Sequence, residues 1–316
     1  MTIPPAEGVR VSWDSVPESV RAGIEQICGA LVVRAISQPG GFSPGVAARL
    51  LCADGTRWFV KAVSAEANPV TPAMHRREAQ ILRALDPLIA AGRLPVPRLR
   101  GTLEAEPWTV LVLDDVDGRH PRLPWHPEDL SEVLAAVDRL AGSLTPAPID
   151  AGDLAQRFAA DFAGWRTLAA APDQRGIDPW SRTRLDQLAD LERTWPAHAA
   201  GDTLLHTDLR ADNVLLTGDR VMVVDWPHAC QGAAFIDIVF LAPSVAMQGG
   251  PPPAELLAST RAGRAASREA LASTVCALAG YFTWGSLQPP PPGIPTVRAF
   301  QAAQGAIARQ WLADLL

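Results

Sequence analysis

Apolar and polar positions in the first 116 residues follow patterns that predict a sheet with two helices. "SVPESVRAGIEQICG" has a proline near its start and closes at Gly29, which predicts a short helix. "LVVRAIS", "VAARLLCA" and "RWFVKAV" are rich in β-branched and aromatic residues and are separated by turn-forming stretches. They predict an antiparallel meander. Apolar residues at helical spacing over 72–91 predict one long helix, and two further strands follow, "PRLRGTLEA" and "WTVLVLDDV".

The pattern becomes helical after the Pro- and Gly-rich stretch "DGRHPRLPWHP". Long helical segments are predicted over 128–143, 153–170 and 181–195, and again from about 233 to the end. A short β interlude interrupts them between 203 and 226. We therefore predict an α+β, bilobal chain. Its β-rich N-lobe, with one long helix, covers 1–116, and its mainly helical C-lobe covers 117–316.

Composition excludes several classes of partner. The chain is 48% apolar and has a formal net charge of −6, so it offers no basic surface to nucleic acid and no basic run to a membrane. Its four cysteines form no Cys-x-x-Cys pair, which favours buried free thiols in a reducing cytosol. The N-terminal stretch lacks the pattern of a signal peptide. We expect a cytoplasmic protein, monomeric or homodimeric.

The β interlude carries the polar residues most suited to chemistry. "HTDLRADN" at 206–213 and "VVDW" at 223–226 put His206, Asp208, Asn213 and Asp225 beside short strands. Carboxylate and amide oxygens suit a divalent cation, and a carboxylate can also accept a proton. The alternative is a polar turn whose Asp and Asn residues only cap strands.

The spacing His-x-Asp-x-x-x-x-Asn with a later Asp resembles the catalytic loop and metal-binding Asp of the kinase fold. Trp226 stands where protein kinases carry Phe-Gly, and no Ala-Pro-Glu segment follows. "VVDWPHACQGAAFIDIVFL", which includes Asp237, instead resembles the aminoglycoside phosphotransferase and choline kinase-like family. The resemblance covers about residues 40–240 and implies a protein kinase-like fold.

The resemblance also implies roles for residues of the interlude. Asp208 would orient the acceptor hydroxyl or accept its proton, and Arg210 would reach the transferred phosphoryl group. Asn213 and Asp225 would bind Mg²⁺, and His206 would brace the loop. ATP is the expected phosphoryl donor, while GTP in its place stays open.

Lys61 is the single lysine among 28 basic residues of the Lys and Arg type. Both faces of its predicted strand are apolar, and a buried ammonium is costly unless it is paired. In the resembled fold this lysine contacts the α- and β-phosphates and pairs with a Glu of the next helix. Glu78 has that position, whereas Glu66, the other nearby acid, lies in a predicted loop.

Two further segments complete the nucleotide site that the resemblance implies. Gly40, Gly41 and Gly45 lie in the loop between the first two strands, where glycines allow close approach of the backbone to phosphate. A plain hairpin turn is the alternative interpretation of this loop. "TVLVLDDVDG" resembles the hinge between lobes, which assigns adenine contacts to the Asp114 carbonyl and the Val116 amide.

The acceptor is constrained mainly by charge. Residues 241–316 contain five arginines but only three acids, a balance poorly suited to a polycation. Trp226, His228, Phe282 and Trp284 are candidates to line an acceptor pocket, with packing in the core as the favoured alternative for each. We expect a less charged hydroxylated metabolite or antibiotic.

The sequence thus predicts an ATP- and Mg²⁺-dependent O-phosphotransferase that acts on a small-molecule alcohol. A nucleotide-binding pseudokinase with a regulatory role and, more remotely, a protein kinase are the alternatives. A role in antibiotic resistance stays open, because family membership alone does not decide it.

Overall fold

A five-stranded antiparallel sheet forms the first part of the chain. The computed structural model describes residues 4–6, 8–174 and 176–316. Within them the strand order is β1-β2-β3-β5-β4. The strands are β1 (Val32–Ser37), β2 (Val46–Cys52), β3 (Arg57–Ser64), β4 (Leu99–Ala105) and β5 (Trp108–Asp114). The predicted meander and the two later strands are therefore confirmed.

Helices cover both faces of this sheet. Helix α1 (Glu18–Cys28) ends at Gly29, whose φ of 80° lies in the left-handed region that glycine adopts without strain. The long predicted helix is α2 (Thr71–Ala90). Alternate residues of β5 enter opposite cores: Val110 and Val112 pack on the α1 side, whereas their neighbours in sequence pack with α2. Burial on both faces explains the continuous apolar run of β5.

The rest of the chain is mainly helical, and its core is continuous with that of α2. Its helices are α3 (Pro127–Ser143), α4 (Leu154–Arg157), α5 (Gly164–Ala170), α6 (Pro179–Arg182), α7 (Leu185–Glu192), α8 (Trp195–Ala199), α9 (Ile236–Met247), α10 (Pro253–Ala258), α11 (Arg261–Ala265), α12 (Arg268–Ser286) and α13 (Val297–Leu315). The division into lobes at residue 116 stays a prediction. Among the described residues, no helix is long and apolar enough to cross a membrane.

Two predicted helices prove to be interrupted. The segment 153–170 divides into α4, a short 3₁₀ turn and α5, because Phe162 has non-helical backbone angles (φ −92°, ψ 43°). The segment 181–195 begins earlier, where Asp178 caps α6 by accepting the Ser181 N–H, and it divides again before α7. Neither α5 nor α7 begins with a side-chain cap, so backbone angles and not capping interrupt these two segments.

Two short two-stranded sheets build the β interlude. Strand β6 (Thr203–Leu205) pairs with β9 (Cys230–Gly232), and β7 (Val214–Leu216) pairs with β8 (Val221–Val223). The chain therefore runs from β6 through the loop 206–213 into a tight hairpin and returns to Asp225. This path brings Asn213 and Asp225, which are distant in sequence, to the same end of the β7–β8 hairpin.

The close approach of Gly45 to β3 generates a prediction about stability. Gly45 has a φ of 108°, and a Cβ atom there would lie 2.4 Å from the Ala62 carbonyl oxygen. We expect Gly45→Ala to lower the free energy of unfolding by about 2 kcal/mol or more, through left-handed strain and this clash. Urea denaturation measures the change. Gly40→Ala is the control, because no atom lies within 4 Å of its Cβ position. Equal stability of the two variants would contradict this account.

Candidate active site

A cavity of about 430 Å³ lies between the sheet and the helical part of the chain. This first cavity is lined by nearly all the residues predicted to bind nucleotide and metal: Gly40, Gly41, Lys61, Glu78, Asp114, Val116, Asn213 and Asp225. Apolar side chains from both parts of the chain, Val46, Phe59 and Leu113 with Leu215 and Val224, line it as well. Because apolar and charged side chains both line this cavity, it suits a ligand that combines a planar apolar ring with a charged group.

Lys61 forms the centre of an ion cluster in this cavity. Its Nζ lies 2.9 and 2.8 Å from the two carboxylate oxygens of Glu78 and 2.6 Å from Oδ1 of Asp225. Burial alone would lower the pKa of Lys61, but the Asp225 and Glu78 carboxylates outweigh burial and raise it above its usual value. The ammonium therefore keeps its charge. Glu78, not Glu66, is the partner of Lys61.

The carboxylates of the cluster differ in exposure. The Glu78 side chain is only 2% exposed and also accepts the Trp226 N–H at 3.4 Å, whereas the Asp225 side chain is 23% exposed. Burial opposes ionisation of Asp225, but the Lys61 ammonium holds the pKa of Asp225 well below its usual range. Both carboxylates line the cavity, but Glu78 is the more deeply buried partner of Lys61 and Asp225 is the more accessible one.

Asn213 and Asp225 are suited to a hard divalent cation. The Val224 N–H donates to the Asn213 carbonyl at 3.0 Å, which holds the two ends of the β7–β8 hairpin together. The Asn213 side-chain nitrogen donates to Asp208, so the side-chain oxygen is the atom left for a cation. In the described part of the chain, no cluster of three or more His, Cys, Asp or Glu side chains could hold a metal alone. A cation here would need further oxygens from phosphate and water.

Asp208 is half-buried and contacts two side chains of its own loop. Arg210 donates to its Oδ1, and the Asn213 amide donates to its Oδ2 at 3.1 Å. Arg210 also donates twice to Asp212, at 3.0 and 2.8 Å. Burial raises the pKa of Asp208, although Arg210 and His228 oppose this effect. Asp208 is therefore held in one orientation by donors on both oxygens.

The loop around Asp208 is braced from α9 and β8. Asp237, at the start of α9, accepts the N–H groups of His206 and Thr207 at 2.9 and 2.7 Å. His206 Nε2 lies 3.0 Å from the Val224 carbonyl, and its Nδ1 accepts the Asp208 N–H at 3.2 Å. His206 is fully buried, so it serves as a brace. Thr207 and Asp225 hold positive φ values of 65° and 70°, a strain that these contacts offset.

The glycine loop, residues 39–45, is fixed by a residue that the sequence analysis missed. The Arg10 guanidinium lines the first cavity and donates to the carbonyls of Gln38, Gly40 and Ser43. Gly41 lines the cavity, but its N–H donates to the Ala6 carbonyl at 2.9 Å. Gly45 is not among the lining residues, and its N–H donates to Val9 at 3.1 Å. No motif precedes α1, so nothing in the sequence marked Arg10.

The predicted hinge follows β5 at the edge of the first cavity. Asp114 and Val116 both line this cavity. The Val116 carbonyl accepts a hydrogen bond from Arg49, and Arg49 Nε also lies 2.6 Å from Oδ1 of Asp115. Among the described residues, the Val116 N–H donates to no acceptor. The hinge therefore presents a free backbone donor beside apolar walls.

A second cavity, of about 150 Å³, opens on the other side of the Asp208 loop. Asp208 and Arg210 line it together with a ring of aromatic side chains: Phe42, Phe158, Phe162, Phe240, Tyr281 and Phe300. Of the four sequence candidates, His228 and Phe282 also line this cavity, whereas Trp226 is fully buried and donates to the Val223 carbonyl at 3.1 Å. Trp284 packs against the core and is not among the lining residues.

Comparison with known proteins identifies the family. A model of the phosphotransferase enzyme family matches residues 38–273, which is most of the chain. The chain belongs to this family. The predicted resemblance is confirmed, and Asp208, Asn213 and Asp225 all lie inside the matched region.

Solved structures share the fold of this phosphotransferase. A choline kinase from Streptococcus pneumoniae has a TM-score of 0.59 at 12% identity, over 92% of this chain and 98% of that one. A thermostable aminoglycoside phosphotransferase mutant, solved with AMP-PNP and hygromycin B, has a TM-score of 0.58 at 16% identity, over 93% and 98% of the two chains. These similarities confirm the α+β, protein kinase-like fold.

Curated relatives that match part of the chain are homoserine kinases. The homoserine kinase of Sinorhizobium fredii is 28% identical over 155 residues, which are 46% of this chain and 44% of the relative. The chain spans less than half the length of the curated relatives it matches. This similarity bears on the acceptor only as a proposal.

The ion cluster generates a prediction about stability. Lys61→Met leaves Glu78 buried without a cation, so we expect the free energy of unfolding to fall by about 2–3 kcal/mol. This loss is smaller than that expected for a fully buried ion pair, because Asp225 is partly exposed. Urea denaturation of Lys61→Met and of Lys61→Met/Glu78→Leu measures the effect. The double variant should regain part of the loss, since it removes the more deeply buried of the two carboxylates that lose their cation. A double variant less stable than Lys61→Met would overturn this interpretation.

Proposed function

We propose that this phosphotransferase transfers the γ-phosphoryl group of ATP to a hydroxyl of a small molecule, with Mg²⁺ as the metal. The observation that carries the proposal is the Asn213–Asp208 hydrogen bond of 3.1 Å between the two cavities. Asn213 lines the first cavity, where the cation cluster suits phosphates, and Asp208 lines the second. A hydroxyl at Asp208 would thus lie next to a nucleotide at Asn213.

In the transfer, the acceptor oxygen attacks the γ-phosphorus while its proton passes to Asp208. The new O–P bond forms as the bond between the γ-phosphorus and the β–γ bridging oxygen breaks, and ADP leaves. A carboxylate in the ionised state is required for this role. Arg210, which donates to Asp208, supplies positive charge on the acceptor side of the same loop.

Lys61 is proposed to bind the nucleotide phosphates. Its three contacts to Glu78 and Asp225, all within 2.9 Å, need a compact ammonium with donors in several directions. A planar guanidinium would not fit this geometry. This requirement accounts for a lysine at 61 in a chain that otherwise uses arginine for its basic residues.

Asn213 and Asp225 are the proposed ligands of Mg²⁺, because their oxygen donors line the first cavity. When bound, the ion would offset negative charge on the phosphates. The Val116 N–H and the Asp114 carbonyl are the proposed adenine contacts, and the glycine loop is the proposed cover of the phosphates. We also propose that the nucleotide-binding N-lobe comprises 1–116, the C-lobe comprises 117–316, and the protein acts in the cytoplasm.

The similarity to homoserine kinases supports a metabolite as acceptor, whereas the neighbour solved with hygromycin B supports an antibiotic. The complete set of Lys61, Asp208, Asn213 and Asp225 supports an active enzyme over a pseudokinase. The small volume of the second cavity, about 150 Å³, supports a small acceptor over a protein.

Asp208→Asn tests the proposed base. The variant keeps the shape of the side chain but cannot accept the proton, so we expect transfer to slow by about a thousandfold. Mass spectrometry would detect one added phosphoryl group across a set of alcohols with ATP and Mg²⁺. AMP-PNP binding should be unchanged, and the exposed Asp202→Asn should behave as wild type. Wild-type turnover by Asp208→Asn would disprove the assignment.

Arg10→Met tests the support of the glycine loop. The variant loses the hydrogen bonds to the loop carbonyls and also one cation in the first cavity. We therefore expect it to bind AMP-PNP about tenfold more weakly, which is equivalent to about 1.4 kcal/mol. Isothermal titration calorimetry measures the affinity. Arg34→Met removes an exposed arginine of β1 and should bind as wild type. Equal affinity of Arg10→Met and wild type would show that Arg10 has no part in nucleotide binding.

A further inference from the structure

We propose that the second cavity binds an uncharged, ring-sized apolar group of the acceptor, and that the acceptor class is a compact cyclic or aromatic alcohol. The proposal rests on the phosphotransferase function above and specifies its acceptor. Four features of the cavity carry it: the aromatic walls, the lack of a free charge, one unpartnered amide, and the size.

The walls of the cavity are mainly aromatic and come from distant parts of the chain. Phe162 lies at the centre of a cluster, with ring centroids 5.3 Å from Phe158, 5.5 Å from Phe240 and 5.9 Å from Tyr281. Phe42 of the glycine loop and Phe300 of α13 contact edge to face at 5.1 Å. Aromatic faces and edges in these arrangements favour a planar or cyclic apolar guest.

The cavity offers no free carboxylate for an ammonium. Asp208 is the one carboxylate among its lining residues, and that side chain is engaged by Arg210 and Asn213. Asp161 is not a lining residue, and although burial raises its pKa, the nearby charges of His228 and Arg157 oppose this effect. An aminoglycoside carries several ammonium groups, and each would lose its hydration here without an ionic partner.

The cavity also lacks a free cation for a carboxylate. Arg210, its one arginine, is paired with Asp208 and Asp212, and its guanidinium lies 5.2 Å from the centre of the Phe42 ring. A zwitterionic amino acid such as homoserine would leave its own carboxylate unpaired in the cavity. An uncharged acceptor avoids the free-energy cost of burying an unpaired ammonium and that of burying an unpaired carboxylate.

One polar side chain in the cavity is available to a ligand. Gln304 is only 4% exposed and lines the cavity, yet within the described residues its amide has no hydrogen-bond partner. Its neighbour Gln301 is satisfied by Arg298 at 2.8 Å and by Tyr281 at 3.4 Å. The Gln304 amide atoms are not among the fully buried polar atoms that lack a partner, which is consistent with an amide that is accessible from the cavity. Such an amide can donate to or accept from a ligand hydroxyl or carbonyl.

The size of the cavity sets the size of the group. Drug-sized ligands occupy pockets of about 300–1,000 Å³, whereas an apolar cavity of about 150 Å³ holds a benzene-sized molecule. The second cavity, at about 150 Å³, matches the latter. One ring, with its hydroxyl directed to Asp208, fits this volume.

The acceptor class is tested by comparing alcohols that differ in charge. Wild-type protein with ATP and Mg²⁺ would be given 2-phenylethanol, cyclohexylmethanol, choline, homoserine and kanamycin, and phosphorylated product would be measured by mass spectrometry. We expect kcat/KM for a ring alcohol to exceed that for each charged acceptor at least tenfold. A higher kcat/KM for choline, homoserine or kanamycin would overturn the acceptor class and leave the phosphotransferase function standing.

The unpartnered amide is tested in the same assay. The substrate for this test is a ring alcohol that also carries an ether or carbonyl group, such as 2-phenoxyethanol. We expect Gln304→Leu to raise KM for this substrate about tenfold and to change kcat less. Gln310→Leu, at an exposed site on the same helix, is the matched control and should leave KM unchanged. An unchanged KM in Gln304→Leu would show that the amide does not contact the acceptor and would contradict its part in the proposal.

Nucleotide binding separates failure of this inference from failure of the proposed function. If AMP-PNP with Mg²⁺ raises the thermal unfolding midpoint but no ring alcohol is phosphorylated or bound, the acceptor class is wrong and the nucleotide site stands. If AMP-PNP neither binds nor changes the midpoint, the phosphotransferase function fails, and this inference fails with it.

Discussion

The contact of Lys61 with Glu78 and Asp225 is the interaction on which the site depends. One ammonium joins β3, α2 and Asp225, which lies two residues after the end of β8. Two carboxylates this close would repel each other without a cation between them. The cluster therefore fixes the sheet against the hairpin and holds the walls of the first cavity in place.

A second constraint acts on the loop between the cavities. Asp237 and His206 satisfy the backbone of a loop in which Thr207 has a left-handed conformation. This conformation is uncommon for a β-branched residue and persists where its surroundings enforce it. The result is a rigid turn that presents Asp208 to one cavity and Asn213 to the other. The two cavities are thus separated at this point by a single hydrogen bond between side chains.

Local patterns were sufficient to predict the sheet and α2, because these depend on strand alternation and helical spacing. They also indicated that the buried Lys61 needs a partner, but the choice of Glu78 came from the resemblance to the kinase fold. Arg10 could not be predicted, since it acts through backbone carbonyls and leaves no spacing motif. The aromatic cavity was also largely missed. Phe42, Phe158 and Phe300 come from three distant segments, and only tertiary packing brings them together.

A crystal structure of the protein with AMP-PNP and Mg²⁺ tests the central claim most directly. The account predicts the nucleotide in the first cavity, with Lys61 on phosphate oxygens, Mg²⁺ bound by Asn213 and Asp225, and the γ-phosphate directed toward Asp208. A nucleotide bound elsewhere, or phosphates held without Lys61 and with the metal on other residues, would contradict it.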